Sequence, residues 1–313
     1  MKDFDQLLAE VEKHPKRRVA VAVAQDAYVL EAAVRADEGN IADCVLVGDE
    51  GEIRRIAAQR DIPLNAVEIV HEAEPLHAAA RAVQLVADGQ CEILMKGYIH
   101  TDDFLRAVLD KAHGLRTGSI MSHVFVVEWT AQDKLLFITD GAMNIAPNLE
   151  QKAAILLNAV HLANLFGLPE PKVAALAAVE LVNPAMPATL DAAALGAMAQ
   201  RNQFVPHAIV DGPFALDNAI SPAAAAHKKI TGPVAGRADI LLVPDIESGN
   251  MLAKSMVYFA GRRMIGLLLG AKAPVVLTSR ADTTEAKLLS IAAAVLMVNR
   301  KRQTQLKVGK VHF

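Results

Sequence analysis

The sequence predicts an α/β protein with a mostly parallel sheet and helices on its faces. Three observations predict it. Short β-rich runs alternate with helical patterns almost from end to end. Hydrophobic residues make up 53% of the chain but aromatics only 4%, so Ala, Val, Leu and Ile must build the core, as they do where helices cover a buried parallel sheet. Short polar motifs directly follow several of the apolar runs, and strand carboxyl ends are where such folds bind ligands. At 313 residues the chain is long enough for two domains or one large one.

The elements follow in order. Residues 19–24 (VAVAVA), 44–47 (CVLV), 67–70 (VEIV) and 92–95 (EILM) are β-rich and read as strands. Between them, 27–37, 52–59 and 76–87 carry helical patterns. A further helix is expected over 101–111, with Thr101 as its N-cap and two acids in the first turn. In the middle, 124–128 and 135–139 are separated by WTAQDK, a hairpin-length connection that predicts a local antiparallel pair. Alternation then resumes: helix 149–166, strand 172–178, helix 187–202, strand 207–211, helix 214–220, strand 239–243, helix 248–260, strand 275–278 and helix 283–299. Residues 223–236, rich in Ala, Lys, Gly and Pro, read as a surface loop. The strand–helix count restarts near Thr139-Asp140-Gly141, which suggests a boundary there.

Composition excludes several classes. A net charge of −3 gives no global basic surface, so nucleic acid is not the expected partner. The two cysteines, Cys44 and Cys91, have no metal-type spacing and cannot make a disulfide framework. Both read as structural, and a reducing cytoplasm is the simple location. The first residues carry acids and no signal-like apolar core, and no run approaches the ~18–20 apolar residues of a membrane helix. His71 and His77 flank Glu72 and Glu74 without a recognised metal spacing, and no metal site is expected. Neither G-x-G-x-x-G nor a complete P-loop is present; Gly261 and Gly266 have the P-loop spacing, but Leu267 stands where Lys is needed.

Residues 239–285 hold the densest chemistry. Pro244-Asp245-Ile246-Glu247-Ser248-Gly249-Asn250, Gly270-Ala271-Lys272 and Thr278-Ser279-Arg280-Ala281-Asp282 each follow an apolar run. Arg280 beside Ser279, opening a helix, suits a small oxyanion such as phosphate, because a guanidinium binds it bidentately. A surface ion pair for Arg280 and a helix cap for Ser279 are the plainer alternatives. Asp245, Ser248, Gly249 and Asn250 form a strand-to-helix turn, with ligand binding or simple capping both open. Lys96, Gly97, His100 and Thr101 make a similar turn, with Arg106 on the helix that follows. Asp140 and Asn144 follow a strand and are comparable candidates.

Several blocks together resemble one family. VDGPFALDNAISPAAAAHKKITGPVAGRADILLVPDIESGN (210–250) and Leu277-Thr278-Ser279-Arg280 are similar to the signatures of phosphate acetyltransferases and phosphate butyryltransferases. MKGYIHTDDFLRAVL (95–109), SHVFVVE (122–128) and FITDGAMNIAPNLEQKAAI (137–155) resemble it too, in a style closer to the butyryltransferases. The resemblance covers roughly residues 90–297. It implies acyl-CoA + phosphate = acyl phosphate + CoA by direct transfer in a ternary complex, with coenzyme A as substrate and no permanently bound cofactor. It also implies a homodimer, and a two-domain fold like that of isocitrate and isopropylmalate dehydrogenases, with the active cleft between the domains. One domain would hold 1–138 and 286–313, the other 139–285 as an insertion.

The resemblance assigns roles. Arg280 would bind the phosphate or acyl phosphate, and Ser279 would donate to the carbonyl oxygen or sulfur. Acetyltransferases carry an Asp seven positions after the Ser, proposed to deprotonate CoA, where this chain has Ala286. Glu285 and Asp282 are the nearby candidates for that base. Arg106, Lys96, His100, Thr101, Asp140, Asn144, Asp245, Ser248, Gly249 and Asn250 are substrate-binding candidates. Lys228, Lys229 and Arg237 are candidates for the CoA phosphates. Two other readings stay open: a metal- and NAD-dependent dehydrogenase of the same fold, and an inactive module that keeps the CoA site.

Overall fold

Strand pairing starts at the first apolar run. The computed structural model describes residues 1–64, 67–304 and 309–312. Its first stretch runs α1 (Phe4–Val11), β1 (Arg17–Ala22), α2 (Ala27–Glu38), β2 (Ala42–Gly48), α3 (Glu50–Gln59), β3 (Glu68–His71), α4 (Pro75–Ala87), β4 (Ile93–Lys96) and α5 (Thr101–Val108). β1 pairs parallel with β2 on one side and β4 on the other, and β2 pairs parallel with β3. Val19 to Ala22 are buried without a break, which is the pattern of a strand covered on both faces. α2 begins where the Asp26 carboxylate accepts the Val29 N–H at 3.0 Å.

The next stretch runs β5 (Ser122–Trp129), β6 (Lys134–Thr139), α6 (Leu149–Leu165), β7 (Lys172–Leu176), α7 (Pro187–Gln200), β8 (Phe204–Val205), β9 (Ile209–Phe214), α8 (Leu216–Ile220), α9 (Pro222–His227), β10 (Ile240–Leu242) and α10 (Ile246–Tyr258). β5 and β6 form the expected antiparallel pair, with Val124 opposite Thr139 and Trp129 opposite Lys134. Its turn closes through Asp133, at φ 51°. β10 lies parallel between β6 and β7, and β7 pairs parallel with β9. The strand order is β5-β6-β10-β7-β9.

The chain closes with β11 (Met264–Leu269), β12 (Val275–Val276), α11 (Thr284–Thr304) and β13 (Lys310–Val311). β12 pairs parallel with β4 and antiparallel with β11, so this sheet reads β3-β2-β1-β4-β12-β11. α11 is buried without interruption from Lys287 to Asn299 and packs on α1 and α2, a helix inside the core rather than on its rim. β13 pairs antiparallel with β8.

Contacts divide the chain into two compact units, Phe4–Ser119 with Ile265–Gln305, and Ile120–Met264 with Met1–Asp3 and Leu306–Phe313. The divisions therefore fall at 119/120 and 264/265 rather than at 138/139 and 285/286. The physical reason lies in the pairing. The β5–β6 hairpin is hydrogen-bonded to β10 through β6, and β12 to β4, so each goes with its partners.

Residues 223–236 are not all loop. α9 occupies their start, capped by the Ser221 hydroxyl, which accepts the Ala224 N–H at 3.2 Å, with Pro222 at the first helical position. Four alanines and this cap outweigh the loop-like Lys, Gly and Pro that follow. α1, β8 and β13 are not among the expected elements; α1 does carry a helical spacing in Phe4, Leu7 and Val11, all buried, whereas β8 and β13 are two residues each and too short to show a period. No helix among the described residues is long and apolar enough to cross a membrane.

α6 carries a full capping box. Asn148 Oδ1 accepts the Gln151 N–H and Gln151 Oε1 accepts the Asn148 N–H, both at 2.9 Å. Asn148→Ala removes one acceptor and its return bond. Stability should fall by about 1 kcal/mol, seen as a lower urea midpoint with an unchanged denaturant slope.

Candidate active site

Three loops of the first unit converge: the one after β1, the turn after β4 and the loop between β12 and α11. β4 ends at Lys96, in register with Ala22 of β1. Gly97 then turns the chain. Its N–H donates to Ala22 O at 2.9 Å, and the Tyr98 N–H donates to Val23 O at 2.7 Å. A Cβ at Gly97 would stand 2.6 Å from Ala22 O and closer still to Val23 O, so only glycine fits. Val23 itself sits at φ 57°, a rare conformation for a β-branched residue that is held by those bonds.

From the other side, Thr278 continues β12 and Ser279-Arg280-Ala281-Asp282 forms the loop. The Asp282 carboxylate accepts the Ser279 N–H at 2.7 Å, and Ser279 Oγ accepts the Ala281 N–H at 3.3 Å. Thr283 Oγ1 accepts the Ala286 N–H at 3.2 Å at the start of α11. Arg280 is exposed and lies over Tyr98, its guanidinium carbon 5.7 Å from the ring centroid, with Nη2 3.4 Å from His100 Nδ1. Glu285 is exposed in the first turn of α11.

The charge is concentrated beneath this surface. Lys96 is buried, and its Nζ donates to Gly97 O and Thr278 O, each at 3.4 Å. Lys287, one turn into α11, is buried too and donates to Ser279 O at 2.8 Å. Burial pushes the Lys96 ammonium down to about 8, aided by the positive charges of Lys287 and Arg280 and opposed by Asp282 and Asp26. Burial lowers Lys287 as well. The site is thus cationic, partly dry, and open at Ser279 and Arg280.

Lys96, His100, Ser279, Arg280 and Asp282 are brought together within the first unit. Arg106 instead pairs with Asp103 at 2.7 Å on the exposed face of α5, because a carboxylate three residues back satisfies it locally. Thr101 is not the N-cap of α5. His100 occupies that position and no side chain caps the helix, so Thr101 is its first helical residue. Sequence reading passed over Tyr98 and Lys287 and named Thr278 only as part of its motif, with no role. Lys287 had a visible signal: it is the one cation within the apolar run 286–298.

The second unit holds the other candidates. Asp140 follows β6 and is buried; its carboxylate accepts the N–H groups of Ala142 and Met143 at 3.0 Å and Asn144 Nδ2 at 2.6 Å. Asn144 Nδ2 also donates to Met121 O at 2.9 Å. Asp245 caps α10 by accepting the Ser248 N–H at 2.8 Å, and Ser248 Oγ donates to Asp245 O at 3.0 Å. Asn250 Nδ2 donates to Gly141 O at 3.0 Å. A Cβ on Gly249 would lie 2.9 Å from both Asp140 O and Gly141 Cα, so the two turns touch backbone to backbone. These polar groups brace one another at the carboxyl ends of β6 and β10.

Lys228 bridges Asp217 at 3.1 Å and Glu180 at 3.4 Å, so carboxylates already match its charge. The cysteine thiols are buried; burial pushes Cys44 up to about 12 and raises Cys91. Neither supplies a ready thiolate.

The sequence profile of the phosphate acetyl/butaryl transferase family matches residues 3–78 and 71–295. A phosphate butyryltransferase of Clostridium beijerinckii is 48% identical over 301 residues, covering 96% of this chain and 99% of the relative. A phosphate acetyltransferase of Rhizobium meliloti is 44% identical over 303 residues, covering 97% and 96%. A crystal structure of a branched-chain phosphotransacylase from Enterococcus faecalis V583 superposes with a TM-score of 0.79 at 37% identity, covering 90% of this chain and 99% of that one. The relatives are named as acyltransferases, and the dehydrogenase reading is not favoured.

Proposed function

We infer the function of this chain from the family to which it belongs, the phosphate acetyl/butaryl transferases. It transfers a short-chain acyl group between coenzyme A and inorganic phosphate: acyl-CoA + phosphate = acyl phosphate + CoA. We propose butyryl over acetyl as the preferred group, a reading supported by the motif style of residues 95–155. The observation that carries the transferase reading is the cationic site around Ser279, where Arg280 is exposed above buried Lys96 and Lys287.

In the forward direction a phosphate oxygen attacks the thioester carbonyl, the new C–O bond forms, and the C–S bond then breaks. The proton of hydrogenphosphate ends on the departing sulfur. Arg280 holds the phosphate with its planar fork, and Ser279 Oγ donates to the carbonyl oxygen as charge grows there. Asp282 positions Ser279 by accepting its N–H. Glu285, exposed on the first turn of α11, and Asp282 are the two carboxylates near enough in the chain to take the thiol proton in the reverse direction. His100 and Lys96 border the phosphate. Asp140, Asn144, Asp245, Ser248, Gly249 and Asn250 remain substrate-binding candidates of the second unit, where they hold one another's backbone in place. The fold is of the isocitrate and isopropylmalate dehydrogenase kind, and the working form is a cytoplasmic homodimer without a permanent cofactor.

Release of free CoA thiol from acetyl-, propionyl- and butyryl-CoA, with and without phosphate, tests this. Release should require phosphate. kcat/KM for butyryl-CoA should exceed that for acetyl-CoA by about tenfold or more, since each methylene in a fitted apolar pocket is worth about 1–3 kcal/mol. Preference for acetyl-CoA would refute the chain-length assignment, and turnover of none would refute the transferase.

A further inference from the structure

Two lysines are buried in one place, and among the described residues no carboxylate is in ion-pair contact with either. Lys96 is 2% exposed and Lys287 1%. Both ammonium groups reach backbone carbonyls, Gly97 O and Thr278 O for the first and Ser279 O for the second. Neither forms an ion pair within 4 Å among the described residues. On the residue whose carbonyl accepts Lys96, the Thr278 hydroxyl is buried and has no hydrogen-bond partner among the described residues. An ammonium removed from water without a counter-charge is unfavourable by several kcal/mol, and a buried hydroxyl left unbonded adds to this.

The charged groups that face Lys96 are Lys287 on α11, Arg280 and Asp282 in the loop before it, and Asp26 in the loop after β1. With Lys96 itself they carry three positive charges against two negative. Both carboxylates are engaged elsewhere, Asp282 with the Ser279 N–H and Asp26 with the Val29 N–H. What the cluster lacks is a group with negative charge and several acceptor oxygens. An oxyanion supplies both.

We infer that Lys96, Lys287 and the Thr278 hydroxyl form an inner seat for the phosphate dianion that complements Arg280, and that the anion enters together with a proton taken up at Lys96. The inference rests on the phosphate acyltransferase reading for the identity of the anion. The same seat takes the phosphoryl group of the acyl phosphate in the reverse direction. The two lysines are positioning residues: they fix the dianion while Arg280 and Ser279 meet the reacting atoms.

The sign of the pH dependence follows. Without an anion, Lys96 loses its proton as pH rises through about 8. A bound dianion favours the ammonium and moves that titration upward. Binding is therefore independent of this group well below pH 8. Above it, binding takes up a proton and weakens by tenfold per pH unit until the bound form also titrates. Between pH 7 and pH 9 the loss is about tenfold.

Isothermal titration calorimetry on the full chain tests this, with inorganic sulfate as a probe that stays a dianion across the range and inorganic phosphate at pH 8.5 in buffers of different ionisation heat. Lys96→Met and Lys287→Met should each weaken sulfate at pH 7 by at least about tenfold. Arg54→Met, which removes one exposed positive charge paired with Glu50, should change it by less than about twofold. Lys96→Arg stays charged and should bind while losing most of the pH response. Urea midpoints check folding, and if a methionine variant does not fold, the wild-type proton uptake and Lys96→Arg decide. Unchanged affinity in folded methionine variants, or no proton uptake by the wild type, overturns the seat. Acyl transfer by a wild type with lysine-independent anion binding overturns the seat alone. Lysine-dependent sulfate binding by a chain that turns over no acyl-CoA overturns the transferase reading and leaves an oxyanion seat.

Discussion

Replacing Arg280 by alanine is expected to lower kcat/KM for phosphate by about 10²–10³-fold, with most of the loss in turnover and a weaker apparent affinity for phosphate. The guanidinium is exposed, held by Tyr98 and His100 rather than by a carboxylate in the contacts just described, so its charge faces solvent and ligand. Removing it deletes a two-pronged charge-assisted interaction with a group whose charge shifts during transfer. The fold should be indifferent, because an exposed side chain over one ring contributes little to stability. A lysine at this position should restore charge but not the fork, and recover only part of the activity. Steady-state thiol release with phosphate varied is the measurement. Loss of stability matching the loss of activity would show a structural role instead. Unchanged kinetics would remove Arg280 from the site.

The second large effect is expected at Gly97. A methyl group there meets two backbone carbonyl oxygens, Ala22 O at 2.6 Å and Val23 O nearer still. Neither can swing aside as a flexible side chain would. Both also accept hydrogen bonds from this very turn, from the Gly97 and Tyr98 N–H groups. Gly97→Ala must therefore part the end of β4 from the loop after β1. Overpacking of this kind costs about 1–3 kcal/mol, and two rigid oxygens put Gly97 at the upper end. Tyr98, His100 and Lys96 would shift with it. Displacement by about 1 Å is enough to cost roughly 10²-fold in rate, so activity should fall further than stability alone explains. Thermal melts beside kcat/KM check both parts. A fully active Gly97→Ala protein of wild-type stability would mean the turn is looser than the structure shows.

Much of the fold was legible in the chain. VAVAVA at 19–24 announces a strand covered on both faces, and WTAQDK between two apolar runs announces the hairpin. Both depend on local periodicity and turn length, which a sequence displays directly. The site was legible where a motif follows a strand, as Ser279-Arg280 and Lys96-Gly97 do. It was not legible where a nearby residue decides the local contacts: Asp103 pairs with Arg106, and the cap of α5 falls one residue before the expected Thr101. Lys287 was overlooked because a single cation in an Ala- and Leu-rich helix gives no motif.

The sequence by itself determined the α/β alternation, the hairpin and the membership of Ser279 and Arg280 in one polar loop, since each is written in residues a few positions apart. Only the tertiary structure decided that Lys96 and Arg280, 184 positions apart in number, share one site with Lys287, through the Thr278 and Ser279 carbonyls and Tyr98. It alone decided that the two lysines are buried. Burial and charge coupling depend on which strands become neighbours, here β4 beside β12, and neighbours in a sheet are chosen by packing of the whole chain rather than by any local run.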